Sequence, residues 1–207
     1  MSNLPNKIPI LIDEELKQQK EKEYAQEISR MIGKGIVSYG VKLPKIRKIV
    51  KKYFKEFPNE NWKEICKTLL SKEIFENKMV GIFLLGLFIK KGGKLSISEV
   101  GELIKNYIDN WATCDEISME VVARIIKNSP NEIKRLNGWI KSENVWLRRA
   151  ALVTIVKLKN KIENWYEIAS QILSSLSKEK EPIVRKAINW LRREIAKYSN
   201  HVIKSCI

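Results

Sequence analysis

The 207-residue sequence has few of the side chains most used for metal binding and nucleophilic catalysis: one histidine and three cysteines. His201 lies close to the carboxyl end, so we do not expect a histidine general base or a histidine-rich metal site. Cys66, Cys114 and Cys206 are far apart and show no CxxC spacing, which indicates a reducing compartment and argues against a zinc site. The absence of a Walker loop and of a GxGxxG motif argues against nucleotide hydrolysis and dinucleotide cofactors.

Signals for export or membrane insertion are also lacking. The segment Met1-Ser-Asn-Leu-Pro-Asn has no basic stretch followed by an apolar run, so no signal peptide is expected. The longest apolar run, Met79 to Ile89, is about half of the roughly 20 residues that a membrane-spanning helix needs. We therefore expect a soluble cytoplasmic protein.

Positive charge dominates the composition. The 39 lysines and arginines outnumber the 24 acidic residues, which gives a formal net charge of +15 and a pI near 9.7. Such a balance predicts attraction to a polyanion, nucleic acid before membrane. An acidic partner protein is the alternative.

The hydrophobic pattern predicts helices throughout and almost no strand, so the fold class is all-α. Asp13-Glu14-Glu15 predicts the start of a long polar helix that ends near Gly33. Pro44 suits the first helical position of the next helix, and the segment Glu73 to Lys90 is apolar on most faces. Further helix starts are predicted near Trp62, Ser98, Thr113, Asn131, Glu143, Glu163 and Glu181. No linker divides residues 1–207, so one domain is expected.

A faint internal repeat runs along the chain. Val145-Trp-Leu-Arg-Arg-Ala-Ala151 is similar to Pro182-Ile-Val-Arg-Lys-Ala-Ile188, with Arg148 and Arg185 37 residues apart. Cys114-Asp115 lies about one period earlier, and Asn77-Lys78-Met79 about one more. This period with two helices per unit is typical of HEAT-like repeats, which stack into a curved α-solenoid with a concave binding face. A generic helical bundle is the alternative.

Near the middle of the chain, Trp111 and Asp115 are four residues apart and therefore share one face of a helix. An acid beside an indole is unusual on a DNA-facing surface, unless that surface must also recognise or create positive charge. The alternative is structural: Thr113-Cys-Asp-Glu116 matches a capping box, in which Thr113 would cap the helix.

The later helices separate their residue types. In the helix from 143 to 159, Arg149 points about 200° from Leu147 and therefore away from the stripe expected to pack. Near the carboxyl end, Trp190 shares a face with Lys186, Arg193 and Lys197. That tryptophan either packs under the lysine and arginine stems or offers a stacking surface to a nucleotide. A further cluster of cations either contacts phosphates or forms a solvated surface. Its members are Lys42, Lys45, Arg47, Lys48, Lys51, Lys52 and Lys55.

Four motifs in order carry a family resemblance: Tyr39-Gly-Val-Lys-Leu-Pro-Lys-Ile-Arg47, Trp111-x-x-x-Asp115, Val145-Trp-Leu-Arg-Arg-Ala-Ala151 and Ile188-Asn-Trp-Leu-Arg-Arg-Glu194. Together they resemble the DNA alkylation repair enzymes, the HEAT-like alkylpurine DNA glycosylases, over nearly the whole chain. The sequence departs from the commoner family form in having Ala-Thr-Cys between Trp111 and Asp115.

The resemblance implies an enzyme that cuts the N-glycosidic bond of cationic alkylated purines, such as 3-methyladenine and 7-methylguanine, in double-stranded DNA. It implies no metal and no cofactor, and we expect a monomer. Asp115 would be the catalytic carboxylate, with Trp111 and Trp190 around the deoxyribose and Arg149, rather than Arg148, as the site arginine. The predicted DNA contacts are Arg148, Lys186, Arg193, Lys197, Lys45 and Lys48. Because a fold alone does not fix an activity, a non-enzymatic scaffold for nucleic acid or an acidic protein is the alternative.

Overall fold

The computed structural model describes the backbone of residues 4–33 and 35–205 and the surroundings of the side chains of residues 7–33 and 35–198. Within these residues the regular elements are helices, and one isolated parallel β-bridge links Val37 to Ile74. The all-α prediction is confirmed. In chain order the α-helices are α1 (Leu4–Gln18), α2 (Lys22–Ile32), α3 (Leu43–Glu56), α4 (Trp62–Leu70), α5 (Phe75–Lys90), α6 (Ile97–Tyr107), α7 (Trp111–Ile117), α8 (Ala123–Asn128), α9 (Leu136–Ile140), α10 (Val145–Leu158), α11 (Trp165–Ser175) and α12 (Pro182–Ser205).

The helices pack as two rows. In the first row α5 packs between α3 and α7, and α10 packs between α7 and α12. In the second row α4 contacts α1 and α6, and α9 contacts α11. Consecutive helices also pack as pairs across the rows, namely α4 with α5, α9 with α10 and α11 with α12. Such stacked pairs suit the repeat that the sequence predicted; the curvature of a solenoid stays a prediction.

Helices α5 and α10 form the centre of the first row. Each buries residues on nearly all of its faces, because each has neighbours on both sides in its own row and a partner helix in the second row. Gly86 on α5 permits one close approach, since an ideal Cβ there would lie 3.0 Å from the carbonyl oxygen of Glu120. Although α5 is this apolar, the described helices include none long and apolar enough to span a bilayer.

The loop before α3 is held by a buried acid. The carboxylate of Glu76, on α5, accepts hydrogen bonds from the hydroxyl of Ser38 at 2.6 Å and from the backbone N–H groups of Tyr39, Gly40 and Val41 at 2.8–3.1 Å. Gly40 has φ +77°, and a Cβ there would lie 2.1 Å from the carbonyl oxygen of Glu21. Only glycine suits this position, so the Tyr39-Gly-Val segment fixes how α3 meets α5.

The prediction for the first helix was wrong. Asp13 lies inside α1, which begins by Leu4 and ends at Gln18, and α2 forms a separate helix after a short break. The buried side chains Ile8, Ile12 and Leu16 recur every four residues, which is the helical signal that outweighs the acidic triplet. Most other predicted starts lie within about two residues of an observed one, with Pro44 in the first turn of α3.

Candidate catalytic site and DNA-facing residues

Helix α7 begins one turn earlier than the capping-box pattern predicted. Asn110 is its N-cap, and the side-chain oxygen of Asn110 accepts a hydrogen bond from the backbone N–H of Thr113 at 3.0 Å. Thr113 is fully buried within the first turn, and its hydroxyl donates to the carbonyl of Asn110 at 3.2 Å. Thr113 is therefore not the cap, and the structural alternative for Asp115 as a capping-box acid was wrong in this form.

A lysine from the preceding helix of the first row holds this cap in place. Lys78, a buried residue of α5, donates to the carboxylate of Asp109 at 2.6 Å and to the carbonyl of Tyr107 at 2.7 Å. The other oxygen of Asp109 accepts from the side-chain amide of Asn110 at 2.8 Å. The start of α7, and with it Trp111, is thus anchored to α5. No sequence motif marked Lys78 or Asp109 for this role.

Beyond Asp115 the helix changes geometry. Residues Ser118–Val122 form a π-helical turn that leads into α8, and the hydroxyl of Ser118 donates to the carbonyl of Cys114 at 2.6 Å. Single π turns inside α-helices often occur at functional sites. Here the turn packs against α5 and α10 one turn after the candidate carboxylate, and the sequence pattern did not predict it.

The candidate carboxylate Asp115 is paired with Arg149. Nε of Arg149 donates to Oδ1 of Asp115 at 2.8 Å, and Nη2 donates to Oδ2 at 2.7 Å, so the pair is bidentate. Both residues are buried, with 8% of Asp115 and 6% of Arg149 exposed. The expectation that Arg149 faces away from packed surface was wrong, because α7 and α12 flank α10 and leave little of its circumference exposed.

Arg149 also contacts the helix that carries Trp190. Its Nη1 donates to the backbone carbonyl of Ile183, in the first turn of α12, at 2.6 Å. Trp190 lies seven residues further along α12, about two turns, and is half-buried against the core. Trp111 is half-buried on α7, one turn before Asp115. One guanidinium therefore joins the two helices on which the candidate tryptophans lie.

Burial affects the carboxylates of α7. It raises the pKa of Asp115 above its ordinary value, while the hydrogen bonds and the charge of Arg149 oppose that rise. Burial, and then the charge of Glu120, also raise the pKa of the neighbouring Glu116. Glu116 contacts Arg47 of α3 at 3.3 Å, and the Arg47 guanidinium lies 4.1 Å from the centre of the Phe83 ring. The sequence patterns placed Arg47 in a family motif and a lysine-rich cluster and Glu116 in a capping box, but did not predict their contact.

Arg148 has different hydrogen-bond partners from its neighbour Arg149. It forms an ion pair with Glu179 at 2.6 Å and donates to the backbone carbonyls of Ser142 and Glu143. Glu179 in turn accepts the backbone N–H groups of Lys180 and Glu181 before α12. Arg148 and Glu179 are 31 residues apart, as are Lys78 and Asp109, so each cation anchors the loop before the next helix of the first row. These contacts occupy the donors with which Arg148 was expected to bind DNA.

The other predicted DNA contacts fall into two groups, all on the first row. Lys48, Lys186 and Arg193 are exposed, and no ion pair joins them to another described side chain. Lys45 is paired with Glu21 at 2.8 Å, and Lys197 with Glu194 at 2.8 Å, although 67% of the Lys197 side chain stays exposed. Lys48, Lys186 and Arg193 can therefore bind a phosphate without first breaking an ion pair.

Metal-ligating side chains do not cluster in the part of the chain that the structure describes. Cys66 and Cys114 are buried free thiols, and burial raises the pKa of each. Cys206 lies outside the described residues, as does the side chain of His201.

Comparison with known proteins gives the family. No curated protein matches the chain. A family model described as DNA alkylation repair enzyme matches residues 12–205, and so covers every site residue named above. The family resemblance predicted from the four motifs is thereby confirmed, and it supports a role in DNA repair. The chain belongs to the DNA alkylation repair enzyme family.

Proposed function

We propose that this protein is a DNA glycosylase that hydrolyses the N-glycosidic bond of cationic alkylated purines in duplex DNA. The observation that carries the proposal is the buried carboxylate of Asp115, held through both oxygens by Arg149 in a member of a DNA alkylation repair family. The substrates that suit it are lesions of the 3-methyladenine and 7-methylguanine type.

The chemistry needs negative charge more than acid catalysis. A purine alkylated at N3 or N7 already carries a positive charge and leaves readily, so positive charge develops on the sugar as the bond breaks. A carboxylate fixed beside that sugar stabilises the transition state by electrostatics and can orient the attacking water. Arg149 uses one acceptor position on each oxygen of Asp115, and a carboxylate has about four such positions. Acceptor positions therefore remain for a water molecule.

Arg149 acts first as a positioning residue in this proposal. It fixes the plane of the Asp115 carboxylate before substrate arrives, so that no reorganisation is needed in the transition state. A guanidinium has five N–H groups, and three of them are used by Asp115 and Ile183. The two that remain can bind a backbone phosphate at the lesion without releasing Asp115.

The tryptophans and the unpaired cations complete the proposed site. Trp111 and Trp190 are placed beside the deoxyribose, where indole faces contribute cation–π contact of about 0.5–2 kcal/mol each. Lys48, Lys186 and Arg193 bind phosphates along the duplex and supply a sequence-independent affinity. We propose that the enzyme acts as a monomer without a metal or a cofactor.

A second function is favoured by one observation. Asp115 is neutralised by a buried arginine, which is also how a purely structural ion pair ties helices together. A protein of this kind would bind DNA, RNA or an acidic partner through the same basic row without breaking a bond. The two functions differ in whether the charge of Asp115 matters for anything besides folding.

The experiment that tests the proposal is incubation with duplex DNA that carries a single 7-methylguanine, followed by measurement of the released base under single-turnover conditions. A glycosylase releases 7-methylguanine and leaves an abasic site. DNA binding without any release of the base, with 3-methyladenine DNA as well as with 7-methylguanine DNA, would leave the scaffold as the function.

A further inference from the structure

A cavity of about 400 Å³ lies at the opposite end of α8 and α10 from the Asp115–Arg149 pair. Pro130 and Ile133 of the 3-10 helix (Pro130–Arg135) line one part of it, and Ile168 of α11 lines another. Lys127 and Lys161 supply its cationic lining. Glu163 also lines the cavity but forms no ion pair with either lysine.

Two lysines line this cavity, and one of them bonds to the backbone of a third. Lys127 is in the last turn of α8, Lys157 is in the last turn of α10, and Lys161 follows α10. Nζ of Lys161 donates to the backbone carbonyl of Lys157 at 2.6 Å, which turns the ammonium group of Lys161 back over the end of α10. Among the described side chains, none of the three is paired with a carboxylate.

The lysine between Lys157 and Lys161, in contrast, does have an acidic partner. Lys159, between Lys157 and Lys161, is paired with Glu194 at 3.0 Å. Desolvation, and then the charges of Lys157 and Lys127, lower the pKa of Lys161. By contrast, the pKa of Lys42 is raised by its hydrogen bond to Glu21. The fold thus holds positive charges near one another at Lys161, and no carboxylate forms an ion pair with any of the three lysines among the described side chains.

A helix carboxyl end favours one lysine near its last carbonyls, because the helix dipole is negative there. That effect accounts for Lys127 and Lys157 at their own helix ends. It does not account for a third ammonium group brought back over the same end, where it meets the charges of the other two. An anion placed between the three would remove the repulsion, and a phosphate group has the charge and the acceptor oxygens to do so.

The location fits a substrate that reaches across the first row. Lys157 follows Arg149 by eight residues, which is about 12 Å along α10. One duplex spans such a distance, since its major groove alone is about 12 Å wide. The charge of Lys157 also acts on Glu116, the neighbour of Asp115, so the lysine group is electrostatically linked to the candidate site.

We propose that Lys127, Lys157 and Lys161 form a phosphate-binding site that holds the DNA backbone away from the lesion. This inference rests on the proposed function in one respect, namely that duplex DNA is what the first row binds. The chemistry of the site is that of a phosphate group, and the phosphodiester of the duplex is its source.

The test compares the salt dependence of duplex DNA binding for the wild type, Lys161→Gln, and the double variant Lys127→Gln/Lys161→Gln. The slope of log K against log salt is negative, and each lost phosphate contact reduces its magnitude by about 0.9. The matched control is Lys67→Gln, which removes the same charge from an exposed, unpaired position on α4 of the second row. We expect a slope of smaller magnitude for Lys161→Gln and for Lys127→Gln/Lys161→Gln, and an unchanged slope for Lys67→Gln. Thermal melting shows that all variants are folded.

A slope for Lys161→Gln equal to that of Lys67→Gln would overturn the site, as would a wild type that does not bind duplex DNA. The ammonium signal of Lys161 in an NMR titration separates the phosphate sources: the duplex shifts it, and inorganic phosphate at the same phosphate concentration does not. An equal shift with inorganic phosphate would overturn the assignment to the DNA backbone. Failure of the glycosylase proposal looks different, because the wild type would then bind DNA with the expected slopes and release no base.

Discussion

Arg149 binds Asp115 through both carboxylate oxygens, at 2.8 and 2.7 Å, and uses its remaining nitrogen to bind the carbonyl of Ile183 at 2.6 Å. A single buried guanidinium therefore sets the position of α7, α10 and α12 relative to one another. Its hydrogen bonds and charge also oppose the rise that burial causes in the pKa of Asp115. The pair is thus both a structural link and the feature on which the proposed chemistry depends.

Arg148 is expected to matter for stability and not for DNA binding. Replacing it with glutamine removes the cation that faces the Glu179 carboxylate, which keeps only its two backbone N–H donors, and should destabilise the protein by about 1–3 kcal/mol. The double variant Arg148→Gln/Glu179→Gln leaves no unpaired charge and should recover most of the loss. Urea unfolding of the three proteins measures both effects.

The same two variants test the original assignment of Arg148 to DNA. Because its donors are occupied by Glu179 and by backbone carbonyls, the salt slope of DNA binding should equal that of the wild type in both. A slope reduced by about 0.9 in the double variant would return Arg148 to the phosphate contacts that the sequence predicted.

Unpaired cations on the first row should contribute more to DNA binding than paired ones. Lys48→Gln and Arg193→Gln should each lower the salt slope by about 0.9. Lys45→Gln should change it less, because Lys45 must leave Glu21 before it can meet a phosphate. Fluorescence anisotropy with an unmodified duplex at several salt concentrations measures the slopes. Equal effects from Lys45 and Lys48 would show that the internal pair with Glu21 does not limit binding.

The fold class could be predicted from the sequence, but the surroundings of the candidate side chains could not. Helical spacing placed Trp111 and Asp115 on one face of a helix, which requires only local geometry. The burial of Arg149 depends on α7 and α12, which are distant in sequence, so the helical angle of α10 alone gave the wrong environment. The same holds for Lys78, whose role follows from a loop 31 residues away.

The errors at the two ends of α7 have different causes. Both Asn110 and Thr113 suit an N-cap, and the capping-box pattern favoured Thr113 because Glu116 follows it by three residues. In the structure Lys78 and Asp109 fix Asn110 instead, so tertiary contacts decided between two local signals. The π turn after Ile117 has no sequence pattern of its own and was missed for that reason.

The rate of base release should fall in acid at a higher pH than an ordinary aspartate would give. Burial raises the pKa of Asp115 above the usual 3.8, and the proposed chemistry requires the ionised form, so activity is present above that raised pKa and is lost as the pH falls through it. Single-turnover release from about pH 4 to about pH 8 measures the profile, with enzyme-free DNA as the control for acid depurination. A rate that stays constant down to about pH 4 would contradict the proposed role of the carboxylate.

Replacing Asp115 with asparagine should destabilise the fold as well as the activity. The variant leaves the charge of Arg149, 6% exposed, without its carboxylate, which costs about 3–5 kcal/mol where no other partner is available. The double variant Asp115→Asn/Arg149→Gln places two neutral amides side by side and should recover much of this stability. Thermal and urea unfolding of the single and double variants give the comparison.

The rates of these variants separate the catalytic role of Asp115 from its structural role. If the carboxylate stabilises the cationic transition state, Asp115→Asn should lower the single-turnover release of 7-methylguanine by about 10²–10³, roughly 3–4 kcal/mol. The double variant should stay as slow although its stability recovers, because it still lacks the negative charge. DNA affinity should be unchanged or tighter in Asp115→Asn, since a negative charge near the phosphates is gone. If the pair only links the helices and neither side chain acts in the reaction, the rate should instead return with stability in the double variant. Wild-type rates in a well-folded double variant would therefore remove Asp115 from the mechanism and leave the pair as a link between helices.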